Sequence, residues 1–570
     1  MNLMLLALFF CGVSGMYSKR PLPDKDQLPP ARRLRANLAD LFLSNEVSGA
    51  RAASMFEDAS VANPRHVNVK DLAKVNKVHA TRDLRRKLAK RSQWPQLYYA
   101  PVRVYDKTLD AQVTVQLPML LPHELIGRLA DVGSREALLS REGLCLETLQ
   151  HVRTAALELG LDEKEVLPVG LWGDGVPFNW DRSESLEIIS INLPGAGGQL
   201  RLPITAIPKK YIIKETTWDD VFKVVSWSFR CLLSGEYPST RHDNKPFGAG
   251  EKKRNQLKGT PIGVIGLLAE VRGDWAFFKE AFRFPGWAEN EGCCYRCRAT
   301  KGNIRSVGVD AIWRNTVLSS HEFMIRLLQL GRTISTLFGS PCIKSTAFLI
   351  DWFHAVDLGV SQICLGSLLW LVMSKMAGTT VKEKCHALFL LMKGFYSRTS
   401  PESRLDNLTV TMIKCPGKGP KLRGRAGEVR GLVAWGKELA DQYLDAADPL
   451  EGAVIEAADH LSKCYQCLAA DVFSSALMQH HCRKFLLLYA AIESRTAGPK
   501  LWRFKPKFHL FQHLRESGSR PSTFWAYRDE DFGGGIAKMG HRRGGRATPT
   551  AVAERVLTSF TSRFTLPCIN

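Results

Sequence analysis

An α/β fold with one mixed sheet flanked by helices is what this sequence predicts, on three observations. Two short apolar runs, LPVGLWGDGVPF at 167–178 and PIGVIGLLAEVRGD at 261–274, each lead into Gly-Asp. Between them lie two more runs rich in β-branched residues, SLEIISINL (185–193) and LPITAIPKKYII (202–213), bounded by turn-forming Gly and Pro. A segment with apolar residues three and four apart, 217–235, separates these runs from the second Gly-Asp, and another helix-like run follows it. The order strand, strand, strand, helix, strand, helix is the layout of an RNase H-like core. In that layout the first and fourth strands are neighbours, so Asp174 and Asp274 meet at adjacent strand ends.

Each Asp alone is ordinary turn chemistry. Two together at neighbouring strand ends suit Mg²⁺, which takes oxygen ligands, and two such ions clamp the attacking and leaving oxygens of a phosphodiester.

The chain has 570 residues, 45% of them apolar, enough for several cores and unlike a disordered protein. A net charge of +22 calls for a polyanionic partner, and nucleic acid fits best because phosphates bind Lys and Arg with counterion release. No basic amphipathic helix argues for a membrane partner. The 14 Cys lack the dense spacing of a secreted disulfide framework and suit buried thiols in a reducing compartment. Against this, MNLMLLALFFCGVSG at 1–15 resembles a signal-peptide core without a basic start, and implies secretion if it is one.

In chain order, residues 1–30 read as that apolar leader and a linker. Residues 31–164 form a basic, mostly helical region with a hairpin at 98–118. Arg82, Arg85, Arg86, Lys87, Lys90 and Arg91 form its candidate DNA-binding face, the alternative being a solvated helical surface. The sheet-bearing core spans 165–340. After Asp274 it carries Cys294-x-x-Cys297, half of a zinc site, with Cys293 as an alternative ligand. Asp351 and His354, three apart on one helix face, complete a four-ligand set. Residues 341–503 read as helical. Within them Cys464 and Cys467 look like core thiols, and the basic Gly/Pro loop at 413–425 offers Lys418, Lys421, Arg423 and Arg425 to phosphates. Residues 504–570 hold a basic helix with His509 and His513 four apart, then the acidic triplet Asp529, Glu530 and Asp531.

Five segments occur in the order found in DDE transposases of the CACTA, Plavaka and KDZ assemblage, and the chain resembles that family over roughly 165–545. They are GDGVPF, LAEVRGDWAFFKEAFRFPG, CCYRC, DWFHAVDLGV, and KPKFHLFQHL followed by FWAYRDEDF. The resemblance implies that Asp174, Asp274 and Glu530 bind catalytic Mg²⁺ or Mn²⁺. It implies a structural zinc element at Cys294, Cys297 and His354, with Asp351 alongside. It also implies that the helical block is an insertion between core strand and Glu-bearing helix. The expected activity is nicking and strand transfer at transposon ends by a nuclear homo-oligomer acting on DNA. An inactive, transposon-derived DNA-binding protein is the alternative. The triplet leaves the register of the third acid open, and Gly533–Gly535 follow it where the family has a helix.

Overall fold

The computed structural model describes residues 30–567 and 569, apart from 63–66, 91, 180, 197–199, 291, 497–500 and 542–547. The leader-like segment at 1–15 and Arg91 lie outside the described residues.

The described residues begin with four short helices: α1 (Pro30–Leu43), α2 (Gly49–Ala62), α3 (Val67–Ala73) and α4 (Ala80–Ala89). They close on a small core of their own, with Phe42, Leu43, Phe56, Leu72 and Leu84 buried. The next two strands, β1 (Tyr98–Asp106) and β2 (Ala111–Met119), pair antiparallel as the expected hairpin.

The central sheet has four strands, β3 (Val166–Pro177), β4 (Ser185–Asn192), β5 (Arg201–Pro208) and β6 (Ile265–Arg272), in the order β5-β4-β3-β6. Pairing is antiparallel within β3, β4 and β5, and parallel between β3 and β6. Nearly every residue of these strands is buried, as their unbroken apolar runs require of a sheet covered on both faces. The third strand stops at Pro208, short of the 213 expected, because Lys209–Tyr211 turn into a 3₁₀ segment.

Helices α5 (Leu146–Leu159), α6 (Thr216–Ser234) and α7 (Trp275–Phe282) pack beside the sheet. Trp172 of β3 pairs with Arg272 of β6, so Asp174 and Asp274 each lie two residues beyond a matched pair. Past β6, Phe348 bridges parallel to Val271, and the chain runs directly on to Asp351.

The helical block follows. A π-helical stretch, Phe353–Ser361, continues into α8 (Gln362–Lys375), and α9 (Pro449–Ala469) packs along α10 (Ser475–Arg495). Phe353–Lys375 is long and apolar enough to cross a bilayer, but most of it is buried inside the protein. Cys464 faces Cys482 in the α9–α10 seam, as core thiols do.

Three helices finish the chain: α11 (Pro506–Glu516), α12 (Tyr527–Gly540) and α13 (Pro549–Arg563). That α12 is helical through Gly533–Gly535 has a packing reason at one of the three. A Cβ on Gly533 would meet the Trp172 ring at 2.8 Å and Val176 at 2.9 Å, so its absence lets α12 lie close on β3. Gly534 and Gly535 face open space.

Glycine costs a helix interior up to about 1 kcal/mol relative to Ala. Gly534→Ala and Gly535→Ala are therefore each expected to raise stability by about that amount in urea denaturation, while Gly533→Ala lowers it by about 1–3 kcal/mol through overpacking.

Candidate functional site

Three side chains from distant parts of the chain converge at the end of the sheet. Asp174 comes from β3, His354 from the first turn after the Val271 bridge, and Glu530 from the first turn of α12. Their nearest ligand atoms all lie within 4.8 Å of one another. His354 Nε2 stands 3.6 Å from Asp174 Oδ2 and 3.5 Å from Glu530 Oε1.

The imidazole is aimed by Asp351, whose Oδ2 lies 2.7 Å from His354 Nδ1 and also accepts from the His354 backbone N–H at 2.9 Å. With Nδ1–H donating to Asp351, Nε2 is left to face the two carboxylates. The other Asp351 oxygen accepts from the backbone of Phe353 (3.1 Å) and of Ala526 (2.8 Å), the residue before α12. One buried carboxylate thus orients His354 and holds the start of the helix that carries Glu530.

The register of the third acid follows from what the triplet touches. Asp529 is fully buried and accepts from Arg201 of β5 at 2.8 and 3.3 Å, with Arg272 of β6 at 3.5 Å. Asp531 is exposed. Glu530, between them, turns to Asp174.

Asp274 sits beside this cluster but outside its three converging side chains. Its Oδ1 caps α7, accepting from the Phe277 N–H at 2.5 Å, in the ordinary manner of an Asp before a helix.

Burial, then the charge of neighbouring Asp274, pushes the Asp174 carboxyl well above its usual range. Burial pushes Glu530 up to about 7, its hydrogen bond with Asp174 offsetting part of the shift. Burial would lower His354, but the bond and charge of Asp351, with Asp174 and Asp274, outweigh it and raise the imidazole. Glu530 Oε1 is buried without a hydrogen-bond donor. Crowded carboxyls with an unsatisfied buried oxygen suit a divalent cation.

A second cluster lies apart from the first. Cys294 and Cys297 meet His509 and His513 of α11, all four buried, with nearest ligand atoms again within 4.8 Å. Cys294 Sγ is 3.6 Å from His513 Nε2, Cys297 Sγ is 3.3 Å from His509 Nε2, and the two Nε2 atoms are 3.2 Å apart. These are the edges of a Cys₂His₂ tetrahedron, about 3.3–3.8 Å for ligands at zinc distances. The sequence-based set of Cys294, Cys297, Asp351 and His354 is thus divided: the thiols take His509 and His513, while Asp351 and His354 belong to the acidic cluster. The reason is topological. The Val271–Phe348 bridge delivers 351–354 to the sheet end beside Asp274, and α11 returns to the Cys loop. The H-x-x-x-H spacing, two imidazoles on one helix face, was the signal for this pairing.

Of the basic face on α4, Arg82, Arg86 and Lys90 are exposed. Arg85 instead lies over the Phe42 ring at 5.6 Å, its guanidinium lowered to about 10 by burial and then by Arg555. Lys87 bonds the Asp71 carbonyl. Lys418, Lys421, Arg423 and Arg425 are all exposed, and the first two line a cavity that reaches Asp274 and His354. No protein-family model matches the chain, and no characterised protein matches it.

An acid held above its ordinary pKa keeps a proton that the unfolded chain releases, so stability falls as pH rises between the two values. The metal-free protein is expected to lose stability from about pH 4.5 through about pH 7 as Glu530 ionises. Millimolar Mg²⁺ should restore it above pH 7, and Glu530→Gln should flatten the slope. Urea midpoints measured across pH, with and without the cation, test this.

Proposed function

We propose that this chain is a DDE-type DNA transposase that nicks and joins DNA strands with Mg²⁺ or Mn²⁺, using Asp174, Asp274 and Glu530. The observation that carries the reading is the convergence of Asp174 and Glu530, 356 positions apart, in one half-buried cluster beside Asp274. The strand order β5-β4-β3-β6 supports an RNase H-like core interrupted by the helical block. The five family-like segments all fall on or beside this cluster or the Cys₂His₂ cluster. DNA as partner is supported by the net charge of +22, and a nuclear homo-oligomer is what the family likeness implies.

Asp174 and Glu530 would hold divalent ions, which when bound would supply charge neutralisation and activate a water or 3′-hydroxyl, and Asp274 adds negative charge at the same strand ends. His354, its Nδ1 fixed on Asp351, presents Nε2 to the same space. Lys418 and Lys421 neutralise strand phosphates, so the chain's contribution is positioning and electrostatics. At the other cluster, Zn²⁺ fits two thiolates and two imidazoles, closed and structural.

The engagement of Asp274 as a helix cap favours a second reading, a transposon-derived protein that binds DNA without cutting it. A nicking assay on supercoiled DNA separates the two. The enzyme reading expects metal-dependent nicking that falls at least about 100-fold in Asp174→Ala, Asp274→Ala and Glu530→Ala, with Asp531→Ala close to wild type. Salt-sensitive binding without nicking in the wild type selects the second reading.

Elemental analysis is expected to find one zinc per chain, lost in Cys294→Ser and in His513→Ala. A zinc content unchanged by either substitution would remove the Cys₂His₂ assignment.

A further inference from the structure

A cavity of about 680 Å³ opens beside Asp274 and His354. Its lining includes three aromatic side chains: Trp275 at the start of α7, then Trp287 and Tyr295 from the loop that follows. Trp287 is 44% exposed, although a ring of that size is ordinarily well buried, and it meets Trp275 edge-on at 5.7 Å. It also includes Lys418 and Lys421 from the Gly/Pro loop, and Arg503 and Lys507 near the start of α11, along with Asp274 and Asp351.

These cations are not there to satisfy carboxylates. Among the described residues, no ion pair involves Lys418, Lys421 or Arg503, and Arg503 Nε is buried without a partner. Lys507 is committed elsewhere, donating to the His354 carbonyl at 2.7 Å, which ties the cavity wall to the backbone of the acidic cluster.

An exposed aromatic ring, with Lys279 Nζ 5.9 Å from its centroid, in the same cavity as cations outside any ion pair fits a ligand with a planar base and a phosphate. The volume falls within the range of about 300–1,000 Å³ that encloses a compact ligand. It holds one or two nucleotides and is too small for a duplex.

We infer that this cavity seats an unpaired nucleotide of the strand whose phosphodiester lies at the Asp174–Glu530 cluster, its base against Trp287 and its phosphate at Lys418, Lys421 and Arg503. This deepens the transposase reading and rests on it for nucleic acid as the substrate.

The test uses the full chain in EDTA, which separates binding from metal chemistry, and a short labelled single-stranded oligonucleotide followed by anisotropy across a salt series. Trp287→Ala is expected to weaken binding about ten- to hundredfold, the loss of one base–aromatic stack. Lys418→Ala with Lys421→Ala should reduce the slope of log affinity against log salt by about 1.4, two single-strand phosphate contacts. An abasic site in the strand should cancel the Trp287 effect. Wild-type binding with unchanged affinity and slope in all these variants overturns the cavity assignment and leaves the transposase reading standing. The expected losses, with no metal-dependent nicking by wild type, uphold the cavity and overturn the transposase reading. A wild type that binds no oligonucleotide even at low salt overturns both.

Discussion

The site depends on one buried network of ion pairs. Asp529 carries a negative charge into the interior, where Arg201 meets it from β5 and Arg272 from β6. Arg272 is itself paired with Glu270, which accepts from Thr148 of α5 at 2.8 Å. The network therefore joins α12 to both outer strands of the sheet and to a flanking helix. Breaking such a pair on one side leaves an uncompensated buried charge at a cost of about 3–5 kcal/mol. The cost fixes the rotation of α12. Once Asp529 points at the sheet, its neighbour Glu530 has no choice but the strand end where Asp174 sits. Gly170 makes room for this layer: a Cβ there would strike Asn192 Oδ1 at 2.0 Å and Glu270 Oε1 at 3.0 Å.

A second buried carboxylate performs a related task from the helical block. Asp357 accepts from Trp352 at 3.2 Å, from Tyr527 of α12 at 2.7 Å and from Tyr465 of α9. Burial raises it to about 6 despite these donors and the nearby Arg430. Asp351 lies two residues before the π-helical stretch and Asp357 within it, and both reach the start of α12. The block between β6 and α12 is thus wired to the cluster at two points, and packs against the sheet in one continuous core.

The sheet was legible in the sequence because its strands are short, β-branched and bounded by turn residues. The two Gly-Asp ends were legible for the same reason. What the sequence left open was decided by long-range contacts. Glu530 could not be told from Asp529 or Asp531 by local pattern, since only the arginines on β5 and β6 distinguish them. Spacing and the family likeness both group His354 with Cys294 and Cys297. Spacing does not reveal that a single backbone bridge, Val271 to Phe348, carries 351–354 to the sheet end instead. Arg85 read as part of a basic face because helical periodicity does not report that Phe42 waits beneath it.

The two clusters are mechanically linked, although no side chain belongs to both. The Cys loop follows α7, which Asp274 caps, and α11 precedes α12, which bears Glu530. Cys294 and Cys297 bound to His509 and His513 would therefore hold together the two segments whose ends bring Asp274 and Glu530 to the same place. Arg326 adds to this hold by donating to the Cys297 carbonyl at 2.9 Å, and Trp313 packs against both imidazoles, with ring centroids 4.5 and 5.0 Å away. An ion held there would remove freedom between α7 and α12 that two mutually repelling carboxylates would otherwise exploit to move apart. A strongly charged site of this kind needs its backbone held by something other than its own ligands, and the chain supplies that twice: by arginines under α12 and by thiols and imidazoles behind it.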